Sequence, residues 1–262
     1  MTAGTLQGRH ALVTGAGTGI GAAIARALAA AGANVSLAGR RRAPLEAVAA
    51  ELPAGAAFVV GGFDVTDTAA IARGAEAARA AFGPVSILVN NAGEAPSAPF
   101  ERTDLALWSQ VVAVNLTGVY QVTHEFVSEL KRHGAGARIL NVASTAGLTG
   151  YAYVSAYCAA KHGVVGLTRA LALELARSGV TVNALCPGFT ETPLIEQAVA
   201  NIVAKTGRDA EAARAQLAKA NPQGRLVTPE EVAATALWLA SPGASAINGQ
   251  AIAIAGGEVM TG

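Results

Sequence analysis

Strand-forming and helix-forming segments alternate along this chain from one end to the other, and that alternation restricts the fold more than any other feature. Residues 10–13 form a short apolar run, followed by a glycine-rich turn and a segment with Ile20, Ile24 and Leu28 spaced on one helical face. Gly32 stops that helix before a strand at 34–38. A helix at about 43–52 and a strand at 57–63 come next, and Asp67 is placed to cap a helix running towards Phe82. Gly83-Pro84 breaks it before strand-formers at 85–89. One long helix over about 104–132, a strand at 137–142, a second long helix containing 157–177 and a strand at 180–185 follow. Beyond an irregular stretch with helical patches near 193–205 and 209–219, Thr228-Pro229-Glu230-Glu231 opens a helix through Trp238, and 250–254 is the last strand. Seven strands separated by helices predict an α/β protein with a doubly wound parallel sheet and helices on both faces. No repeat or low-complexity linker divides the sequence, so one domain over 1–262 is expected, with an insertion at about 189–224.

Composition narrows the function classes. The chain has 262 residues, 52% of them hydrophobic and 14% charged, which gives a sizeable core and excludes a disordered chain. A formal net charge of +1 lacks the basic face needed to neutralise phosphates, so no nucleic-acid partner is expected. Cys158 and Cys186 have no metal-ligand spacing and no disulfide framework; reduced thiols in a cytoplasmic protein are expected, and no metal. Two stretches without charges, 139–160 and 238–257, are each interrupted by Gly, Ser, Asn or Pro, too often for about 20 continuous apolar residues, and no membrane partner is expected. The apolar run after Arg9 contains threonines and glycines and reads as a strand and turn rather than a signal peptide.

In a sheet of this kind ligands bind outside the carboxyl ends of the strands. Those ends collect glycines and hydrogen-bonding side chains: Thr14-Gly15-Ala16-Gly17-Thr18-Gly19-Ile20-Gly21, then Gly39-Arg40-Arg41-Arg42, Asp64-Val65, Asn90-Asn91-Ala92-Gly93, Ala143-Ser144-Thr145 and Cys186-Pro187-Gly188. The first turn has the mechanics of a dinucleotide site, with glycines for close backbone approach and a helix N-terminus for the pyrophosphate. Glycine also serves ordinary strand-to-helix turns, and the spacing of Gly15, Gly19 and Gly21 is not GxGxxG. Tyr157 and Lys161 share one face of the helix after strand five. Alone, that pair reads as a buried ring and a solvated amine; Ser144, thirteen residues earlier at the strand end, is placed to return beside Tyr157.

In order and spacing, these segments resemble the short-chain dehydrogenase/reductase family in its compact single-domain branch. The resemblance rests on Thr14, Gly15, Gly19 and Gly21 as TGxxxGxG, on Asn90-Asn91-Ala92-Gly93, on Asn115 and Ser144, on Tyr157-Cys158-Ala159-Ala160-Lys161 as YxxxK, and on Pro187-Gly188, and it spans nearly the whole chain. It implies a Rossmann fold and hydride exchange between a nicotinamide and a carbonyl carbon. Tyr157 would be the acid/base, with Lys161 and an oxidised nicotinamide lowering a pKa of roughly 10. Lys161 would also hold the nicotinamide ribose, Ser144 the substrate oxygen, and Asn115 a water of the proton relay. Gly15, Gly19, Ile20 and Gly21 would line the pyrophosphate, Asn91, Ala92 and Gly93 the riboses and nicotinamide, and Asp64 and Val65 the adenine. Pro187, Gly188 and Thr190 would receive the carboxamide end, with Thr192 assisting a phosphate. Asp64 also reads as a turn or capping residue.

Ala38-Gly39 leaves strand two without the acid that holds the ribose 2′-hydroxyl in NAD enzymes. The following Arg40, Arg41 and Arg42 offer guanidinium groups, which favours NADP over NAD. Thr18 stands where many NADP-preferring relatives carry a basic residue, and the arginines also read as a solvated helix start. The 157–194 stretch looks like both 3-hydroxybutyrate dehydrogenases and 3-oxoacyl or polyketide ketoreductases. Where the hydroxybutyrate enzymes hold a carboxylate with Gln, His and Lys, this chain has Glu94, Ala146 and Val154. The expected substrate is therefore a neutral ketone or alcohol of the β-keto/β-hydroxyacyl kind, including a thioester, with a small hydroxy acid, another secondary alcohol or a non-catalytic NAD(P)-binding role as the alternatives. Tyr151 and Tyr153 would shape the pocket or pack, and Glu94 would meet substrate or solvent. The resemblance also implies a homotetramer through the two long helices and the C-terminal segment.

Overall fold

The computed structural model describes residues 4–260. Seven parallel strands form one sheet in the order β3-β2-β1-β4-β5-β6-β7, with β1 at His10–Thr14, β2 at Asn34–Gly39, β3 at Ala57–Gly61, β4 at Ile87–Asn90, β5 at Arg138–Val142, β6 at Thr181–Pro187 and β7 at Ala251–Ile254. The chain runs outward from β1 to β2 and β3, then crosses to β4 on the other side of β1. That reversal opens a crevice beyond the carboxyl ends of β1 and β4.

Side chains alternate between the two faces, as a strand requires. Ala11, Val13, Ile87, Val89, Leu140 and Leu185 enter one core, against Ile24 and Leu28 of α1 (Gly19–Ala30), Leu45 of α2 (Arg42–Glu51) and Val232 and Leu239 of α9 (Pro229–Ala240). Leu12, Leu88, Ile139 and Val182 enter the other, against Ile71 of α3 (Thr68–Phe82), Phe126 and Leu130 of α5 (Gly118–His133) and Leu175 of α6 (Ser155–Leu175). Both faces are dry, which is why the strands read as near-continuous apolar runs. Asp67 caps α3 by accepting from the Ala69 and Ala70 amides, and Thr228 and Glu231 close a reciprocal capping box on α9.

The sequence expects one helix over 104–132; the structure divides it. α4 (Leu105–Val112) passes into a five-residue π-helical turn, Ala113–Thr117, before α5 begins. The reason is Asn115, whose amide donates to the carbonyls of Val111 and Glu94 at 3.0 and 2.9 Å, so the helix widens around an inward side chain. The strand expected at 85–89 lies two residues later, because the Ser86 hydroxyl is engaged by Arg9 and the His10 carbonyl before the ladder begins. The insertion carries α7 (Pro193–Thr206) and α8 (Ala210–Ala218), which share a small core of Ile195, Val199, Ala213 and Leu226. No helix among the described residues is long and apolar enough to cross a membrane.

Candidate active site

The strand ends converge as the alternation requires. Thr14, the last residue of β1, is the fastener: its hydroxyl accepts from the backbone amides of Asn91 and Ala92 at 2.9 and 3.0 Å. The Asn91 side chain returns two bonds, to the carbonyls of Thr14 and Gly15. Gly21 in the first turn of α1 lies against this junction; a Cβ there would stand 2.4 Å from both Asn91 Nδ2 and Gly15 O, so only glycine fits. α1 begins without a side-chain cap from Thr18 and without an acid in its first turn, leaving its leading amides to the crevice.

A cleft runs from this turn across the sheet edge, lined by Gly15, Thr18, Arg40, Arg41, Asp64, Val65, Ala92, Gly93 and Glu94 among others. Of the residues expected at the pyrophosphate and adenine, Gly15, Asp64 and Val65 line this cleft, whereas Gly19, Ile20 and Gly21 are not among its lining residues. Of the three arginines, Arg42 is committed to Glu46 one turn along α2, whereas Arg40 and Arg41 line the cleft and form no salt bridge among the described residues. Asp64 fulfils both of its readings: its carboxylate accepts from the Thr66 amide and hydroxyl, which hold its pKa down together with Arg40, and the residue still lines the cleft. The half-buried Ile20 side chain packs against the core at the start of α1, and one Glu94 carboxylate oxygen accepts from the Gln110 side-chain amide at 2.7 Å.

The proton-handling side chains gather at the carboxyl end of β5. Ser144 follows this strand and caps a short turn by accepting from the Ala146 amide. Tyr157 and Lys161 lie in the first two turns of α6, with the Lys161 ammonium 5.5 Å from the Tyr157 ring centre and donating to the Val142 carbonyl at 2.8 Å. Asn115 is fully buried and holds the loop after β4 through the Glu94 amide and carbonyl. Gly93 sits between the two: a Cβ on it would be 2.8 Å from Asn115 Oδ1 and 3.8 Å from Lys161 Nζ.

In the protein alone, burial pushes the Tyr157 phenol up to about 12, opposed by its hydrogen bond with the Ser144 hydroxyl. Burial also draws Lys161 down to about 8.

On the far side of the crevice, Pro187 ends β6 and Gly188 donates its amide to the Ile254 carbonyl. Thr190 donates its hydroxyl to the Gly188 carbonyl, and Thr192 donates to the Thr190 carbonyl while resting its methyl against Gly19. The loop after β4 is tied to the 151–154 segment by the Ala98 amide on the Tyr153 carbonyl, and Tyr153 adopts φ +69° at this junction. Tyr151 packs edge-on against Phe189, joining the Ser144 segment to the insertion. Thr14 carries the first position of the TGxxxGxG pattern, but its role as the fastener between the ends of β1 and β4 is not readable from the sequence.

Comparison with known proteins agrees with this geometry. The family profile described as short chain dehydrogenase matches residues 9–203. The chain is 42% identical over 258 residues to a D-beta-hydroxybutyrate dehydrogenase of Cupriavidus necator, covering 97% of this chain and 99% of the relative. It is also 42% identical over 259 residues to a galactitol 2-dehydrogenase (L-tagatose-forming) of Cereibacter sphaeroides, covering 97% and 96%. Among solved structures, a variant of actinorhodin polyketide ketoreductase with NADPH superposes with a TM-score of 0.91 at 38% identity, covering 98% of this chain and 99% of that one.

Proposed function

The chain belongs to the short-chain dehydrogenase family, and on that premise we propose that it is an NADP(H)-dependent oxidoreductase interconverting a neutral β-keto substrate, thioesters included, with the corresponding secondary alcohol. The observation that carries this reading is the meeting of Ser144, Tyr157 and Lys161 at the carboxyl end of β5, with the Ser144 hydroxyl bonded to Tyr157 and the Lys161 ammonium 5.5 Å from its ring centre. A dinucleotide fits the groups present. The free amides at the start of α1 suit a pyrophosphate with Gly15, Thr18, Gly19 and Gly21 around it. Arg40 and Arg41 suit a 2′-phosphate. Asp64 and Val65 would take the adenine side, Asn91, Ala92 and Gly93 the riboses, and Pro187, Gly188, Thr190 and Thr192 the carboxamide end. The cofactor, when bound, supplies or accepts the hydride.

The remaining chemistry falls to the chain's own side chains. Ser144 donates a hydrogen bond to the substrate oxygen, stabilising the charge that develops there. Tyr157, protonated at neutral pH because burial holds its pKa near 12, gives its proton to that oxygen in the reducing direction. Lys161 orients the ribose and, with Asn115, relays a proton back to Tyr157. The preference for a neutral substrate is supported by Glu94, Ala146 and Val154 at the places where the hydroxybutyrate enzymes hold a carboxylate with Gln, His and Lys. A homotetramer is part of the proposal, supported by exposed Leu105, Tyr120, Leu173 and Trp238 on α4, α5, α6 and α9. A cytoplasmic setting is supported by two unpaired cysteines, and a single domain over 1–262 by the one sheet. Initial rates with NADPH and NADH against ethyl acetoacetate, an acetoacetyl thioester and acetoacetate test the assignment. Faster turnover with NADPH on the neutral substrates supports it; absence of nicotinamide-dependent turnover across a broad carbonyl and alcohol panel refutes it.

A further inference from the structure

Strand β5 grips α6 at two polar points. The Val142 carbonyl accepts from the Lys161 ammonium at 2.8 Å, and one residue earlier the Asn141 side-chain amide donates to the Thr168 hydroxyl at 2.9 Å. Lys161 and Thr168 stand two turns apart on one face of α6, a separation of about 10 Å along its axis. One attachment leaves a helix free to slide or turn about it; two that far apart fix both its register and its rotation. Ser144 lies just beyond Asn141 on the same stretch of chain, and Tyr157 lies one turn before Lys161 on the same helix. The bond between the Ser144 hydroxyl and Tyr157 therefore joins two elements whose relative position these anchors set.

The Asn141 anchor belongs to a longer buried chain. Asn90 on β4 is the ladder neighbour of Asn141, and its amide donates both to Asn141 Oδ1 and to the Thr123 hydroxyl of α5, each at 2.9 Å. Thr168 passes its own proton to the Val164 carbonyl at 2.8 Å. Asn90, Thr123, Asn141 and Thr168 are all buried, on the sheet face that also carries Leu88, Ile139 and Val182. With both amide protons spent, Asn90 keeps a buried Oδ1 that has no hydrogen-bond partner among the described residues. A half-satisfied amide in such a layer lowers stability where leucine or valine would not. What the polar chain supplies instead is geometry: directed bonds of fixed length from β4 and β5 to α5 and α6, where apolar contacts alone let helices shift.

We propose that Asn141 and Thr168 are positioning residues for the proton transfer: by locking α6 to β5 they hold Tyr157 against Ser144 and the substrate oxygen. This rests on the oxidoreductase reading above and adds to it two residues that act only through Tyr157. A misplacement of about 1 Å is enough to cost roughly 10²-fold in rate. The groups proposed for the pyrophosphate and adenine lie on other elements, at the ends of β1, β2 and β3, so NADPH affinity serves as the internal control.

Thr168→Val keeps the shape and removes the hydroxyl, whereas Thr168→Ser keeps the hydroxyl and removes the methyl. Ketone reduction by each is measured well below its unfolding temperature, in light and in heavy water, with NADPH affinity read by fluorescence titration. In Thr168→Val, kcat should fall roughly tenfold or more while the NADPH Kd stays within about threefold. The solvent isotope effect on its kcat should exceed that of the wild type, because a misaligned proton transfer becomes slower than the other steps. Thr168→Ser should recover kcat to within about twofold of the wild type. A hydroxyl with a merely structural role would lower the melting temperature and leave kcat and the isotope effect unchanged, and that result overturns the inference. A parallel loss of kcat and NADPH affinity, or a serine variant as slow as the valine one, overturns it as well. Should Thr168→Val not fold, Thr168→Cys, with a weakly bonding thiol in place of the hydroxyl, carries the same comparison. A wild type without turnover on any carbonyl removes the oxidoreductase reading itself, whereas an unimpaired Thr168→Val beside an active wild type removes only the positioning role.

Discussion

Replacing Lys161 with methionine should make the protein more stable while removing its activity. Lys161 is 3% exposed, and burial draws its ammonium from 10.5 to about 8. That displacement means that at neutral pH the folded state bears a cost of roughly 3 kcal/mol for the buried charge. Methionine fills a similar volume with a flexible apolar chain. It also forfeits the 2.8 Å bond to the Val142 carbonyl, a charged-donor bond worth about 1.5–3 kcal/mol. The net gain at pH 7 is about 1 kcal/mol, a rise of roughly 2–4 °C in melting temperature for a chain of this size. Because the folded-state pKa lies below the unfolded one, the unfolded chain alone holds the proton between about pH 8 and 10.5, and wild-type stability from this group rises with pH across that window. The variant's advantage is therefore complete below pH 8 and shrinks as pH approaches 10. Thermal unfolding followed by circular dichroism at pH 7 and pH 9.5 measures it, with turnover assayed in parallel. A variant that is less stable at pH 7, with the same pH dependence as the wild type, would refute the burial argument.

Other consequences are accessible to simple assays. Arg40→Ala with Arg41→Ala should raise the Kd of NADPH by roughly tenfold or more and leave NADH nearly unchanged, read by fluorescence titration; equal losses for both cofactors would place the arginines away from the 2′-phosphate. Gly21→Ala should lower the melting temperature by several degrees, since overpacking costs about 1–3 kcal/mol and the new Cβ would meet Asn91 and the Gly15 carbonyl, and it should weaken cofactor binding as well. An alanine variant with wild-type melting and affinity would show that the Thr14–Asn91 junction yields freely.

The fold was legible because both sheet faces are buried, so the strands stand out as short apolar runs between amphipathic helices. Asp67 and Thr228 announced their helix starts by side-chain chemistry alone. The π-helical turn was not legible: Asn115 reads as one more polar helix residue until the Glu94 backbone that it binds is in place. Lys161 and Tyr157 were visible as a pair by spacing, but not the sign of their pKa displacements, which depend on how completely the surrounding strands exclude water. Glu258 carried no local signal, because its partner Tyr151 is 107 residues away.

The most direct test of the central claim is the rate of NADPH oxidation by Tyr157→Phe on a ketone that the wild type reduces, with cofactor affinity measured on the same preparation. Loss of the proton donor should lower kcat by roughly 10²–10⁴ while NADPH binding stays within a few-fold. A phenylalanine variant that retains wild-type kcat would show that another group delivers the proton, and the account would fail.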